Sequence, residues 1–161
     1  MAELADEVHS LCMNPRFNLI HTSWQDSKAE LGTVRRVVFV EEQQVPESLE
    51  WDGLDASCYH VLVTNAEQLP VATGRMKPDG HIGRMAVLQG YRGQGIGSAV
   101  LAALLEVARQ QGYAVVYLHA QVSAIAFYER HGFVVSSEQF MDAGIPHKTM
   151  NRKLCPSPLG T

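Results

Sequence analysis

Cysteine is scarce in this sequence, and the few cysteines are far apart. Cys12, Cys58 and Cys155 are odd in number and distant from one another, so we expect free thiols in a reducing compartment. The sequence contains no Cys-x-x-Cys pair, and its seven histidines show no spacing typical of zinc ligands. These absences exclude a disulfide framework and predict a cytoplasmic protein without a metal site.

Long apolar runs and an excess of basic residues are absent as well. No apolar run reaches the length of about 18 residues that a membrane-spanning helix needs. Residues 1–7 are acidic and lack the apolar stretch of a signal peptide. Asp and Glu together number 17 and Lys and Arg 13, and this net charge of −4 argues against nucleic-acid binding. We therefore expect neither a membrane nor a nucleic acid as a partner.

The length of 161 residues fits a single domain spanning 1–161. We expect a folded core at 17–154 and flexible ends at 1–16 and 155–161. The apolar pattern predicts the order β, α, three strands, α, β, α, β, β. The unit from Ile82 to Leu118 should be a right-handed parallel crossover, whereas the first strands can pair as antiparallel hairpins. We predict an α/β (α+β) fold whose mixed, mostly antiparallel central sheet has helices on both faces.

The same pattern gives approximate bounds for each element. The first helix should begin near Ser27, with Ser27 or Asp26 as its cap, and end near Gln43. The polar segment 46–56 indicates a loop, and Gly112 and Gly132 follow the two later helices, where a C-terminal glycine is typical. Strands are predicted at 17–22, 58–64, 69–77, 82–88, 114–118, 133–135 and 148–154, and later helices at 96–110 and 123–131.

A glycine-rich turn precedes the second predicted helix. The glycines at 93, 95 and 97 permit positive φ and leave no Cβ to block a ligand. Backbone N–H groups of the turn and of the helix N-terminus can then converge on a pyrophosphate, beside the charge of Arg92. The dinucleotide pattern Gly-x-Gly-x-x-Gly fails, because the place of its third glycine is taken by Ser98 or by Val100, depending on where the pattern begins. The Walker A pattern of nucleotide-binding proteins fails too, because no Gly-Lys-Ser/Thr follows. A nucleotide-binding regulator is therefore disfavoured, and a turn that binds nothing is the structural alternative.

Two motifs resemble those of the GNAT superfamily of N-acetyltransferases. The stretch Arg92-Gly93-Gln94-Gly95-Ile96-Gly97 matches the acetyl-CoA motif Arg/Gln-x-x-Gly-x-Gly/Ala without departure. The stretch 124–133 resembles the family's closing motif, in which a helix runs into Tyr, Gly-Phe and a strand. Segments 39–46 and 143–150 are similar to those of a poorly characterised bacterial branch, and 146–150 also to glyphosate N-acetyltransferase. The resemblance covers roughly residues 17–153 and implies the GNAT fold.

This resemblance implies that acetyl-CoA binds where two parallel strands diverge, here those around 85–87 and 116–118. Backbone groups left without strand partners should bond the pantetheine arm, and an N–H from 85–87 should hold the acetyl carbonyl. Gln121 stands where many relatives have Asn, and we still expect it to contact CoA. The implied cofactor-binding residues are Met85, Ala86, Val87, Arg92, Gly93, Gln94, Gly95, Ile96, Gly97, Ser98 and Gln121.

The expected reaction is direct attack of an amine on the thioester within a ternary complex, and it needs a base because such amines are protonated at neutral pH. His147 is the preferred base, since histidine titrates near neutrality and this residue matches the base of the glyphosate-acetylating branch. A histidine that only hydrogen-bonds a loop is its structural alternative. Glu42 and its neighbour Glu41 are rival bases, and His60 and His119 are weaker candidates.

Tyr128 is the candidate acid for the departing thiolate, by resemblance to the family's motif tyrosine. Its structural alternative is an aromatic side chain that packs at the end of a helix. A thiol has a pKa of ~8.5, so the thiolate is already a tolerable leaving group and the acid should matter less than the base.

We expect a metal-independent N-acetyltransferase that moves acetyl from acetyl-CoA to a primary or secondary amine of a small molecule. The alternative is a non-catalytic protein that binds acyl-CoA as a sensor or partner subunit. Arg75 and Arg84 could bind an anionic acceptor, and the acidic segment 47–55 could attract a cationic one, but both could equally be ion-paired or solvated. The acceptor therefore stays open, and the resemblance is compatible with a homodimer.

Overall fold

The computed structural model describes residues 16–155, so most of the two expected flexible ends lies outside the described residues. The strands are β1 (Asn18–Thr22), β2 (Tyr59–Thr64), β3 (Pro70–Met76), β4 (His81–Val87), β5 (Val115–Gln121), β6 (Val134–Val135), β7 (Phe140–Asp142) and β8 (Ile145–Lys153). The helices are α1 (Trp24–Arg35), α2 (Glu47–Glu50), α3 (Ile96–Gln110) and α4 (Ile125–Arg130), and a π-helix (Arg36–Glu42) continues α1.

All eight strands belong to one sheet with the order β1-β2-β3-β4-β5-β8-β6, and β7 pairs with β8. Every pair is antiparallel except β4 with β5, which is parallel and is connected through α3. The predicted mixed, mostly antiparallel sheet is therefore confirmed, as is the parallel crossover. Among the described residues, no helix is both long and apolar enough to cross a membrane.

The two faces of the sheet pack against different helices because side chains alternate along a strand. Val61 and Val63 lie in the main apolar core with α3. Their neighbour His60 is opposite Arg75 of β3, and both contact the polar cluster at the end of α1. Helices thus cover both faces, as the sequence predicts.

Helix α3 supplies most of the main core. Val100, Leu101 and Leu104 are fully buried, which follows from the apolar stripe at helical spacing. The helix approaches β3 closely at Gly74, where an added Cβ would lie 2.6 Å from Val100 Cγ1. Only glycine fits at this crossing without repacking. Gly112 follows the helix at φ +82°, as predicted for its C-terminus.

The beginning of α1 differs from the prediction. Ser23, rather than Ser27 or Asp26, is the N-cap, and its hydroxyl accepts a hydrogen bond from the Asp26 N–H at 3.1 Å. Ser27 lies inside the helix with non-helical torsion angles, φ −132° and ψ 24°, and its hydroxyl is 2.7 Å from that of Thr22. The local signal at Ser27 therefore marks a kink, because the first turn of the helix forms before it.

Two other segments also correct the sequence-based bounds. The segment 46–56 contains α2 and a 3₁₀ turn (Asp55–Ser57) instead of a plain loop, because its acidic side chains bind arginines of the core. Strand β7 is not apparent in the sequence, and β8 begins at Ile145, so His147 lies in a strand. The hairpin of these two strands forms one wall of the site described next.

Candidate active site

The central feature of the site is a cleft between β4 and β5. Within the described residues these strands pair only at His81–Tyr117 and Ile82–Leu118. Beyond Leu118, β5 continues along β8 as far as the pair Gln121–His147, while β4 turns away. The divergence opens a cleft of about 430 Å³ that is lined by Met85, Gln121, Tyr128 and His147, among others. The predicted splaying of these two strands is thus present.

A β-bulge turns β4 away from β5. Thr73 pairs with Ala86 and Arg75 with Gly83, so Arg84 and Met85 together lie opposite the single residue between them on β3. Arg84 adopts φ +49°, which is unusual for a side chain with a Cβ. Bulges re-aim side chains next to functional sites. Here Met85 lines the cleft, and the Tyr128 hydroxyl lies 3.9 Å from its Sδ.

The glycine-rich turn lies between β4 and α3. Gly93 and Gly95 have φ of +79° and +83°, and nothing lies within 4 Å of a Cβ built on Gly93. The exposed turn therefore brings bare backbone to the N-terminus of α3, where the first N–H groups have no acceptor within the helix. This geometry suits an anionic ligand, as the sequence predicts.

Arg92 is held beside this turn by three hydrogen bonds. Its Nε donates to the Val87 carbonyl at 2.9 Å, and its Nη1 and Nη2 donate to the two carboxylate oxygens of Glu42 at 2.8 Å each. Its guanidinium therefore lies at the end of β4, next to the turn.

The other predicted cofactor residues surround the turn in different environments. Ala86 and Ile96 are buried in the apolar core, and Gln94 is exposed. A Cβ on Gly97 would lie 3.8 Å from the Phe127 ring and 3.9 Å from Val87, so α4 and β4 both approach the first turn of α3. The Ser98 hydroxyl lies 3.1 Å from Nε2 of His131, which links the same turn to the end of α4.

Tyr128 lies on α4 and faces the cleft. Burial of its hydroxyl raises the pKa of Tyr128 to about 12, so the group is protonated at neutral pH. A protonated phenol beside Met85 can donate a proton or a hydrogen bond into the cleft. The acid role of Tyr128 stays a prediction, with which its position and protonation are compatible.

His147 lies on β8, also lines the cleft and is 8% exposed. Its Nδ1 is 2.7 Å from the Ile145 carbonyl oxygen. Because a carbonyl can only accept, Nδ1 carries the proton and Nε2 keeps its lone pair in the neutral ring. The ring also stacks on Phe140 with 5.9 Å between centroids. This tautomer can accept a proton, as a base must.

Gln121 also lines the cleft, at the C-terminal end of β5. Its Nε2 donates to Oε1 of Gln43 at 2.9 Å. This bond joins β5 to the residue that follows the π-helix. Gln43 itself lines the cleft, and no pattern in the sequence pointed to it.

Neither Glu42 nor Glu41 is among the residues that line the cleft, where a base would have to lie. Glu42 lies outside the cleft lining and forms the bidentate pair with Arg92, whose hydrogen bonds lower the pKa of the carboxylate. Glu41 borders a separate groove beside α1. The base role of Glu42 stays a prediction, and these contacts argue against it.

The weaker histidine candidates separate into a structural one and one in the cleft. His60 is 2% exposed, and its Nε2 lies 2.8 Å from the Asp55 carbonyl oxygen. His119 lines the cleft beside His81, with 4.6 Å between ring centroids. Burial and the neighbouring His119 lower the pKa of His81 to about 4. His81 was not a sequence candidate, although alternation along β4 and β5 places it on the same face as His119.

A buried ion-pair cluster contributes Glu50, Arg75 and Arg84 to the lining of the cleft. Arg35 pairs with Glu50 at 2.8 Å and with Asp55 at 2.6 Å. Arg75 pairs with Asp55 at 2.9 Å and with Asp52 at 2.5 Å, and Arg84 lies 3.1 Å from Glu50. The acidic segment and the two arginines that could have bound an acceptor thus largely neutralise one another.

The comparisons with known proteins agree with this geometry. The family model described as acetyltransferase (GNAT) domain matches residues 26–154. The chain belongs to the GNAT acetyltransferase family. It is 40% identical over 121 residues to the uncharacterized N-acetyltransferase YjcF of Bacillus subtilis. The aligned residues make up 73% of this chain and 86% of that protein.

Solved GNAT structures share the fold. An acyl-CoA N-acyltransferase from Pseudomonas aeruginosa is 30% identical with a TM-score of 0.76, over 84% of this chain and 99% of that one. A GNAT family acetyltransferase from Elizabethkingia anophelis, whose structure has acetyl-CoA bound, is 12% identical with a TM-score of 0.67, over 88% of this chain and 100% of that one. Membership of the family supports acyl transfer from acyl-CoA.

Proposed function

We propose that this protein transfers the acetyl group of acetyl-CoA to a primary or secondary amine of a small molecule. The observation that carries the proposal is the cleft, whose lining includes both the protonated Tyr128 and a His147 ring whose Nε2 is free to accept a proton. A protein that only binds acyl-CoA needs neither group.

The glycine turn supplies the donors for a pyrophosphate. The bare backbone at Gly93 and Gly95 and the first N–H groups of Ile96, Gly97 and Ser98 form the anion site, and Arg92 lies beside them. Backbone groups of 85–87 that β5 no longer pairs would bond the pantetheine arm and the acetyl carbonyl, with Gln121 as a further donor. Acetyl-CoA supplies the activated acyl group.

The protein's side chains move the protons of the reaction. His147 accepts a proton from the amine at Nε2, which frees the nitrogen lone pair for attack. The new C–N bond forms as the C–S bond breaks, and the Tyr128 hydroxyl gives its proton to the departing sulfur. The surplus proton on the new amide nitrogen leaves to water, which returns a proton to the Tyr128 phenolate. No metal is needed for this route.

The acceptor half of the cleft favours a small molecule. The β7–β8 hairpin borders it with Ala143 and Ile145, and the α2 segment borders it with Leu49. These walls leave limited space beside the thioester, within a total of about 430 Å³.

The first test is calorimetric titration with acetyl-CoA, with NAD and ATP as controls, followed by an amine-library screen that detects thiol release. Binding of acetyl-CoA alone together with turnover of an amine is the expected result. Failure to bind acetyl-CoA would overturn the proposal. Binding without turnover across primary and secondary amines would favour an acyl-CoA sensor or partner subunit.

The base role of His147 is tested with the active amine. His147→Gln should lower kcat by about 100-fold or more with little change in acetyl-CoA affinity, because it removes a base and no cofactor contact. His21→Gln, on exposed β1, is the matched control and should keep full activity. Equal kcat values for the two variants would contradict the assignment.

A further inference from the structure

The end of the π-helix contacts two side chains that the proposed function assigns to acetyl-CoA. Glu42, its last residue, forms the bidentate pair with Arg92. Gln43, the next residue, accepts a hydrogen bond from Gln121 at 2.9 Å. Two adjacent residues thus bind Arg92, which follows β4, and Gln121, which ends β5.

The contact with Glu42 uses both Nη atoms of Arg92, and the contact with Gln43 uses one of the two N–H donors of the Gln121 amide. Glu42 binds the guanidinium end of Arg92 through both Nη atoms, while Nε is bonded to Val87. The same contact raises the pKa of Arg92 and lowers that of Glu42, as expected for a pair that favours both charges. The Glu42 carboxylate therefore cancels the charge that Arg92 offers to a phosphate. The carboxylate and a phosphate of the cofactor would compete for the same guanidinium N–H donors.

The backbone around this latch, residues 42–43, is irregular. The segment 36–42 is a π-helix, a rare form that is frequent at functional sites. Gln44 follows with φ +58°, a left-handed conformation that is uncommon for residues other than glycine. Gln43 of the latch lines the cleft, and so do Phe39 before the latch and Val45 after it. A shift of the latch would therefore move the wall of the acceptor half.

We propose, on the basis of the proposed function, that Glu42 and Gln43 compete with acetyl-CoA for Arg92 and Gln121, so that cofactor binding opens the latch and repositions the acceptor wall. Glu42 and Gln43 are then positioning residues that couple the two substrates. By linkage, an acceptor that prefers the open wall binds more tightly when acetyl-CoA is present, and acetyl-CoA binds more tightly when that acceptor is present.

The test is titration of acetyl-CoA into the full chain and its Glu42→Gln variant. An exposed ion pair of this kind opposes cofactor binding modestly, so the Kd for acetyl-CoA should fall about two- to fivefold in the variant. Glu41→Gln is the matched control, because it removes the same charge one residue away, beside the other groove. Its Kd should equal that of the unmodified protein, and thermal melts should show that all variants are folded.

A double-mutant cycle separates the latch from a general charge effect. In an Arg92→Gln background, Glu42→Gln should no longer change the Kd, because its partner is gone. Equal Kd values for the Glu42→Gln and Glu41→Gln variants would overturn the latch and leave the proposed function intact. Weaker binding by Glu42→Gln would also overturn it, since Glu42 would then support Arg92. If the unmodified protein binds no acetyl-CoA, the proposed function itself fails.

Discussion

Ala143 has a left-handed backbone conformation at the edge of the cleft. It has φ +50°, and Gly144 follows with φ +77°, in the two-residue turn between Asp142 and Ile145. Two successive residues with positive φ are typical of the hairpin turn that prefers Asn-Gly. Asn tolerates the left-handed region better than Ala because its short polar side chain can hydrogen-bond the local backbone, so Ala143→Asn should raise the free energy of unfolding by about 0.5–1 kcal/mol.

Urea denaturation measures this effect. Ala29→Asn, on the exposed side of α1, is the control, and it should lower stability because Asn is a poorer helix former than Ala. A loss of stability for both variants would show that the turn at Ala143 is not strained.

A Tyr128 variant tests whether this hydroxyl gives a proton to the departing sulfur. Tyr128→Phe should lower kcat by up to about 100-fold while the acetyl-CoA affinity changes little, because the ring is kept and only the donor is removed. The loss should be smaller than that of His147→Gln, since a thiolate leaves more readily than a protonated amine attacks. Stopped-flow detection of thiol release measures it, and an unchanged kcat would make Tyr128 a packing residue.

At the scale of elements, the contact of α3 with β3 limits the residue at position 74. A Cβ there would lie 2.6 Å from Val100 Cγ1 and 3.1 Å from Leu104 Cδ1, both fully buried. Gly74→Ala should therefore destabilise the protein by about 1–3 kcal/mol through overpacking. Adding Val100→Ala should restore part of the loss, whereas Gly90→Ala, with open space around it, should have little effect. The denaturation midpoints of the three variants show whether a Cβ at position 74 overpacks the contact with Val100.

The elements that the sequence predicts well are those with a strong local period. Helix α3 and strands β2 to β5 lie within a few residues of their predicted bounds, because burial of one face repeats along each of them. The π-helix and the short β7 carry no such signal. The segment 46–56 reads as a loop because Glu50 and Asp55 are acidic, although both are buried by ion pairs with Arg35, 15 and 20 residues away.

The site shows the same division. The glycine turn, Tyr128 and His147 belong to local motifs, and the structure places them around one cleft or at its end. Sequence reasoning could not foresee that Glu42 binds Arg92, since the partners are 50 residues apart and meet through folding. Such contacts depend on the path of the chain, which a local pattern does not contain.

At the scale of the whole molecule, the ion-pair cluster should make stability depend on acidity. Burial alone would raise the pKa of Asp52, but hydrogen bonds from Arg75 hold it well below its usual range. The pKa of Asp55 is likewise lowered by Arg35 and Arg75 against its burial. A lowered folded-state pKa gives stability above the unfolded pKa of ~3.9 that is lost as the pH falls through the folded value.

We therefore expect the free energy of unfolding to fall between about pH 5 and pH 2. Glu50 acts in the opposite direction, because burial raises its pKa, so the two aspartates set the trend. Asp52→Asn should cost about 2 kcal/mol at pH 7 and flatten the acid dependence. Glu67→Gln, in an exposed turn, is the control. Parallel pH profiles for the two variants would rule out the cluster as the origin.

The short pairing of β4 with β5, here called the seam, separates an N-terminal from a C-terminal part of the sheet. Strands β1 to β4 and helix α3 fall within residues 18–110, and strands β5 to β8 within 115–153. The seam has two paired positions, compared with seven between β5 and β8. The two segments should therefore open as separate cooperative units in native-state hydrogen exchange. The Tyr117 amide, bonded to Gly80 across the seam, should exchange sooner than amides between β5 and β8.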